Sequence, residues 1–150
     1  EARQLISEAF DLSAQTGIGF LGPALYAIRA RVEPDPAERR RWLREGEAML
    51  TADCLAHARL LFYRDAIGAS LADENWDEAL RYADAMEEFV RPEPFVFATL
   101  AAARARALVA LARRGPQPDV IGELTSLRDK LSRAGLGGLV SGIDVALAAV

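Results

Sequence analysis

The sequence contains one cysteine, one histidine and one lysine in 150 residues. Because Cys54 has no second thiol to bond with, an intrachain disulfide is excluded, and the reducing cytoplasm is the natural compartment. Cys54 and His57 are the only soft metal ligands, whereas a zinc site needs four ligands. Their i, i+3 spacing on a predicted helix therefore indicates a buried thiol beside a hydrogen-bonded imidazole, and no metal or other cofactor is expected.

The chain also lacks a basic excess and a long apolar run. Its 18 basic side chains are outnumbered by 22 acidic ones, whereas nucleic-acid-binding domains usually carry an excess of positive charge. The basic run 39–41 is flanked by glutamates that can pair with it along one helix. The apolar stretch 95–103 is shorter than the roughly 18 residues of a membrane span. We expect neither nucleic acid nor a membrane as a partner.

Motifs for catalysis are missing as well. The glycine-rich segment 135–138 has no lysine or hydroxyl of the kind that a phosphate-binding loop requires. The neighbouring carboxylates at 77–78 and 87–88 diverge by about 100° on a helix and cannot face one substrate. Cys54 and His57 on one helix offer no oxyanion hole. The sequence therefore predicts a chain without catalytic residues.

Apolar periodicity predicts eight helices and no strand. Asp35 and Asn75 are predicted N-caps, each with a glutamate three residues later, Glu38 and Glu78, that completes a capping box. Thr51 is the predicted cap of the fourth helix. The predicted bounds are about 2–15, 20–32, 36–50, 52–72, 76–91, 94–114, 118–134 and 139–150.

The helix-ending signals recur along the chain. Helix pairs close at Gly17, Thr51, Pro92 and Gly135, at intervals of 34, 41 and 43 residues, which are typical of helix–turn–helix solenoids. We therefore predict a single all-α domain, a right-handed α-α superhelix of antiparallel helix pairs, cut from a longer protein. The alternative is an irregular helical bundle. The predicted pairs cover about 19–50, 52–91 and 94–134, with partial units at both ends.

One repeat matches a known motif. The segment 75–83 reads Asn-Trp-Asp-Glu-Ala-Leu-Arg-Tyr-Ala and resembles the second helix of a tetratricopeptide repeat, with Pro92 where that repeat's closing proline stands. Segments 35–39, 45–47, 54–67 and 77–83 together resemble the helical-repeat region of large bacterial signalling ATPases, some of which carry an adenylyl cyclase domain and others a LuxR-type DNA-binding domain. The resemblance implies a cytoplasmic regulatory module that binds proteins, with the nucleotide chemistry in domains outside this sequence.

Arginines concentrate on the helices that such a repeat array would turn towards its concave groove. Guanidinium groups bind carboxylates through paired hydrogen bonds, so an acidic peptide is a predicted ligand. The alternative is that these arginines pair within the chain, with Asp53, Asp65 or the acidic second helices. The predicted groove residues are Arg29, Arg64, Arg104 and Arg106, together with His57.

Two other functions fit the sequence. Apolar side chains near the end of the chain could join two copies into a homodimer. Aromatic side chains could instead line a pocket that senses a small molecule, although aromatic residues at helical spacing more often belong to a core. The predicted self-association residues are Leu139, Val140, Ile143 and Leu147, and the predicted pocket residues are Phe62, Trp76, Phe95 and Phe97.

Overall fold

A computed structural model of the protein describes residues 2–16, 22–51 and 54–150. Within these ranges the chain forms eight helices and no strand, which confirms the predicted all-α class and helix number. The superhelical arrangement stays a prediction. The helices are α1 (Ala2–Thr16), α2 (Gly22–Val32), α3 (Pro36–Ala48), α4 (Ala56–Ala72), α5 (Trp76–Val90), α6 (Val96–Arg114), α7 (Pro118–Arg133) and α8 (Gly137–Ala148).

The start of α3 follows the sequence signals in part. Asp35 is the N-cap, and its carboxylate accepts a hydrogen bond from the N–H of Ala37 at 2.8 Å. The predicted return bond from Glu38 is wrong, because the N–H of Asp35 donates to the carboxylate of Glu33 and Glu38 instead accepts from Arg41. Arg41, one turn further along the helix, thus binds the Glu38 carboxylate that would otherwise complete the capping box.

The second predicted capping box is also wrong. The N–H of Asn75 donates to the carbonyl of Ser70 at 2.9 Å. Glu78 accepts from the guanidinium of Arg81 at 2.9 Å, and this hydrogen bond lowers the pKa of the Glu78 carboxyl below its ordinary value. Both predicted boxes fail because an arginine three residues further along the helix binds the glutamate.

The fourth helix begins later than predicted. It starts at Ala56, and its N-cap Leu55 makes no side-chain cap bond, so Thr51 is not the cap. The carbonyl groups of Leu50 and Thr51 instead accept hydrogen bonds from the guanidinium of Arg59, at 3.1 and 2.6 Å. A side chain from the first turn of α4 therefore binds the loop that precedes it. Ala52 and Asp53, like Gly17 and Phe20, lie outside the described residues.

The chain divides into two compact units, Glu1–Asn75 and Trp76–Val150. In the first unit α2 packs against α1, α3 and α4. Its buried face is made of small residues, Ala24, Ala27 and Ala30, and Gly46 of α3 is buried as well. Small side chains let helix backbones approach closely, so these helices pack tightly. The predicted pair 52–91 takes one helix from each unit, and the division into repeats stays a prediction.

In the second unit α6 packs against α5, α7 and α8. Larger aliphatic side chains fill this core. Gly115 and Gly135 end α6 and α7 with positive φ angles of 75° and 71°, which confirms the predicted stop at Gly135. The core residues are Ala107, Val120, Leu124, Leu127, Leu131 and Ile143.

We predict that Gly46→Ala lowers the free energy of unfolding by about 1–3 kcal/mol, because overpacking a close helix contact has that cost. A Cβ at position 46 would lie 2.7 Å from Cβ of Tyr26 and 2.8 Å from Cε2 of Phe62. Denaturant unfolding followed by far-ultraviolet circular dichroism measures the change.

Gly122→Ala in α7 is the matched control. Nothing lies within 4 Å of a Cβ built there, so only the helix propensity changes, and stability should rise by about 0.5–1 kcal/mol. Equal effects of the two substitutions would contradict the close contact at Gly46.

Candidate functional site

Three aromatic rings from three successive helices meet in the first unit. Phe10 of α1 contacts Tyr26 of α2 edge to face, with ring centroids 4.9 Å apart. Trp42 of α3 lies 5.9 Å from Phe10 and 5.7 Å from Tyr26. These separations fall within the range of attractive aromatic pairs. The rings therefore form one cluster, with each ring in contact with both others.

Two arginines lie against this cluster. The guanidinium carbon of Arg29 is 5.6 Å from the Trp42 ring centroid, and that of Arg41 is 5.2 Å away. A guanidinium within about 6 Å of an indole ring is attracted by its π electrons. Trp42 thus contacts two cations and two aromatic rings.

These five side chains border a cleft with a volume of about 440 Å³. Among the described residues, Ser7 and Glu45 also line it. Clefts of roughly 300–1,000 Å³ with aromatic walls and a few polar groups are typical of ligand sites. We refer to this site, lined by Ser7, Phe10, Tyr26, Arg29, Arg41, Trp42 and Glu45, as the aromatic cleft.

Carboxylates already neutralise the arginines of the aromatic cleft. Arg29 pairs with Glu33 at 3.0 Å, and Arg41 pairs with Glu38 at 3.1 Å and Glu45 at 2.9 Å. The hydrogen bond to Glu45, with the charges of Glu38 and Glu45, raises the pKa of Arg41 above its ordinary value. Three carboxylates thus pair with two guanidinium groups, so neither arginine lacks a counter-charge. The expected pairing of the basic run with its own helix is confirmed at Arg41.

The indole of Trp42 contains an unsatisfied polar group. Its Nε1–H is shielded from solvent and has no hydrogen-bond acceptor among the described residues. Most buried polar groups are hydrogen-bonded, and an unsatisfied one costs about 1–3 kcal/mol. An acceptor brought in by a ligand would remove this cost.

The aromatic cleft was not predicted from the sequence. Leu5 and Leu12 of α1 are both 58% exposed, whereas Phe10 contacts Tyr26 of α2 and Trp42 of α3. The signal that could have revealed the site is its spacing. Tyr26 follows Phe10 by 16 residues, and Trp42 follows Tyr26 by 16 residues. One ring therefore falls in each of three successive helices.

Most of the predicted groove arginines have carboxylate partners in their own unit. Arg64 binds the buried carboxylate of Asp65 at 2.6 Å, and Arg31 binds the same carboxylate at 3.2 Å. In the second unit Arg106 binds Asp84 at 2.6 Å and Glu87 at 2.7 Å. With Arg29 bound to Glu33, these contacts match the alternative of internal pairing. A groove that collects all these arginines would span both units and stays a prediction.

The remaining groove predictions concern Arg104 and His57. Arg104 of α6 is half-buried and lies against Gly142 of α8, where a Cβ would overlap its guanidinium. His57 is exposed in the first turn of α4, and Cys54 is half-buried before that helix begins. The predicted buried thiol with a hydrogen-bonded histidine is therefore wrong. No group of three or more His, Cys, Asp or Glu side chains in the described ranges could hold a metal ion.

The residues predicted for self-association face inwards to different degrees. Ile143 is completely buried in the core of the second unit, and Leu139, Val140 and Leu147 pack against that core while half-buried. The most exposed large apolar side chain of α8 is instead Val145, at 72%. Ile143 is therefore not available to a partner in this conformation, and self-association stays a prediction.

The aromatic residues predicted for a sensor pocket are dispersed. Phe62 is completely buried in the first unit, whereas Phe95 is half-exposed in the second and pairs with Phe97 at 6.0 Å. A pocket shared by these residues and Trp76 would join the two units and stays a prediction.

A second cleft lies in the second unit, also with a volume of about 440 Å³. Charged groups that pair with each other border it: Glu88 binds Arg91 at 2.8 Å, and Asp84 and Glu87 bind Arg106. Its lining contains no aromatic side chain, so it offers less apolar surface to a ligand than the aromatic cleft. Its lining residues are Asp84, Glu87, Glu88, Val90, Arg91, Pro94 and Thr99.

No protein-family model, curated protein or solved structure matches this chain. The resemblance to tetratricopeptide repeats of bacterial signalling ATPases therefore stays a prediction. None of the described helices combines the length and apolar character that a membrane span requires.

We predict that Asp65→Asn lowers the free energy of unfolding by about 1–3 kcal/mol, because it leaves Arg31 and Arg64 side by side without a counter-charge. The cost stays in this range because both arginines reach solvent. Asp119→Asn is the control, since Asp119 forms an exposed pair with Arg114 and such pairs contribute little. Denaturant unfolding that gives the same midpoint for both variants would contradict a structural role for Asp65.

We also predict that Ile143→Ala lowers the free energy of unfolding by about 2–5 kcal/mol, as expected for a large side chain removed from a packed core. Val145→Ala, on the same helix but 72% exposed, should leave it nearly unchanged. Thermal and denaturant unfolding measure both. A folded Ile143→Ala variant with wild-type stability would show that Ile143 is not a core residue.

Proposed function

We propose that this chain is a non-catalytic protein-interaction module that binds its partner at the aromatic cleft. The cleft is the observation that carries the proposal. Tryptophan, tyrosine and arginine are the residues most enriched among the energetic hot spots of protein interfaces. Trp42, Tyr26, Arg29 and Arg41 occur together around one concave site, next to Phe10.

The way in which the cleft is built supports this proposal. Its rings belong to three successive helices, and each ring contacts the other two, which restricts their side-chain rotation before a partner arrives. Preorganised side chains lose little conformational entropy on binding, which raises affinity. Aromatic rings also offer large contact areas with few rotatable bonds. A rigid aromatic site is therefore suited to anchor one side chain of a partner protein.

The sequence resemblance supports a wider setting for the module. Tetratricopeptide and related arrays bind partners over surfaces built from stacked helix pairs. By this resemblance, the chain is a regulatory part of a larger cytoplasmic bacterial signalling protein, and other domains of that protein carry the nucleotide or DNA chemistry. Its partner is then a separate protein, a peptide segment or another domain of the same chain.

A selection from a displayed library of random peptides tests the binding function. We expect the chain to enrich a family of related peptides with micromolar affinity, and we expect Phe10→Leu to weaken them. Phe95→Leu is the matched control, because it removes an aromatic ring that is 50% exposed outside the cleft. Affinities are measured by calorimetry on variants that keep the wild-type helical content.

The outcomes separate the parts of the proposal. No enriched peptide family would contradict an interaction module. Enriched peptides that bind the Phe10→Leu variant as tightly as the wild type would keep the interaction function and exclude the aromatic cleft as its site.

A further inference from the structure

We propose that the aromatic cleft accepts an uncharged aromatic side chain of the partner, together with the adjacent main-chain carbonyl group, and that it does not select acidic residues. This inference rests on the proposed function, because it names the ligand of the same site. It follows from three properties of the cleft: its ring geometry, its charge balance and the unsatisfied indole N–H.

The ring geometry favours another aromatic group. Phe10, Tyr26 and Trp42 have their centroids 4.9–5.9 Å apart and are inclined to one another by 41–89°. These three rings border the cleft, and a further ring can pack against aromatic rings in offset-stacked or edge-to-face contacts. The cleft volume of about 440 Å³ is near the lower end of ligand sites, so it suits one bulky side chain.

The charge balance disfavours an anionic ligand. Arg29 and Arg41 each bind carboxylates of their own helix or its C-terminal end. A carboxylate from a partner would have to displace one of these glutamates or lie beside it. Like charges in a partly desolvated site repel each other, so the arginines here do not provide an acid-binding site.

The same contacts disfavour a cationic ligand. The positions over the Trp42 ring that attract cations are already taken by the guanidinium groups of Arg29 and Arg41. A third cation would approach two positive groups at close range. An uncharged side chain avoids both penalties.

The indole N–H adds a polar requirement. Trp42 borders the cleft, and its Nε1–H has no acceptor among the described residues. A peptide carbonyl next to the bound aromatic side chain would supply an acceptor of the kind that this N–H lacks. A carbonyl oxygen satisfies a neutral N–H without bringing in a net charge.

Trp42 fluorescence provides a direct test, because the chain has two tryptophans and Trp76→Phe leaves Trp42 as the only one. The probe is N-acetyl-L-phenylalaninamide, which has an uncharged ring and two amide carbonyls. We expect a saturable change in Trp42 emission with a Kd on the order of 1 mM, as suits a small ligand. N-acetylglycinamide, which has the amides without the ring, should cause no saturable change.

Two variants in the Trp76→Phe background locate the binding. Phe10→Leu should weaken the binding of N-acetyl-L-phenylalaninamide about fivefold, since it removes one aromatic contact. Phe95→Leu should leave the affinity unchanged. Circular dichroism confirms that each variant keeps the wild-type helical content, and Phe10→Leu conserves apolar volume so that folding is retained.

N-acetyl-L-phenylalanine, which has the same ring but a free carboxylate, tests the charge argument. We expect it to bind more weakly than the amide, and we expect the affinity of the amide to be the same at low and high salt. The inference is overturned if the carboxylate binds more tightly with an affinity that falls as salt rises, if no ligand gives a saturable change, or if Phe10→Leu has no effect.

These results are separable from those of the peptide selection. If selected peptides bind the chain but the amide causes no change in Trp42 emission, the ligand inference is overturned and the interaction function stays in place. A response to the amide without any peptide binder would support the aromatic site and overturn the interaction function.

Discussion

The contact of α3 with α2 and α4 at Gly46 is the constraint on which the first unit depends. Gly46 leaves no room for a side chain of its own, since a Cβ at this position would lie 2.7 Å from Cβ of Tyr26 and 2.8 Å from Cε2 of Phe62. Trp42 lies four residues before Gly46 on α3. Residues spaced by four lie on the same side of a helix, so Trp42 and Gly46 share one face. The close contact therefore brings the Trp42 ring to 5.7 Å from that of Tyr26, and Phe10 of α1 completes the cluster.

Charge pairing within each unit determines what the arginines can do. A guanidinium that binds a carboxylate of the same chain is neutralised, and it then contributes its planar surface and its aliphatic stem more than its charge. Arg29 and Arg41 act in this way over Trp42, and Arg106 does so between Asp84 and Glu87, which hold its pKa above the ordinary value. The arginine-rich helices thus stabilise their own units, and the apolar rings are the surface for which we propose a role in recognition.

Features that depend on neighbouring residues could be predicted from the sequence, and those that depend on distant contacts could not. Asp35 as a cap and Gly135 as a helix stop are local signals, and both are confirmed. The start of α4 was missed because Arg59 binds the loop before it. The aromatic cleft was missed because it forms only when three helices meet. One contact between distant residues was nevertheless anticipated, because the sequence indicated Asp65 as an internal partner for arginine.

The aromatic cleft, which depends on the close packing at Gly46, is the proposed site for an aromatic side chain of the partner. Nuclear Overhauser contacts between protons of bound N-acetyl-L-phenylalaninamide and assigned ring protons of the protein test it most directly. The account predicts contacts from the ligand ring to both Phe10 and Trp42, in the same sample in which Tyr26 and Trp42 show their mutual contact. Ligand contacts confined to rings outside the cleft, such as Phe95 or Phe97, would contradict it.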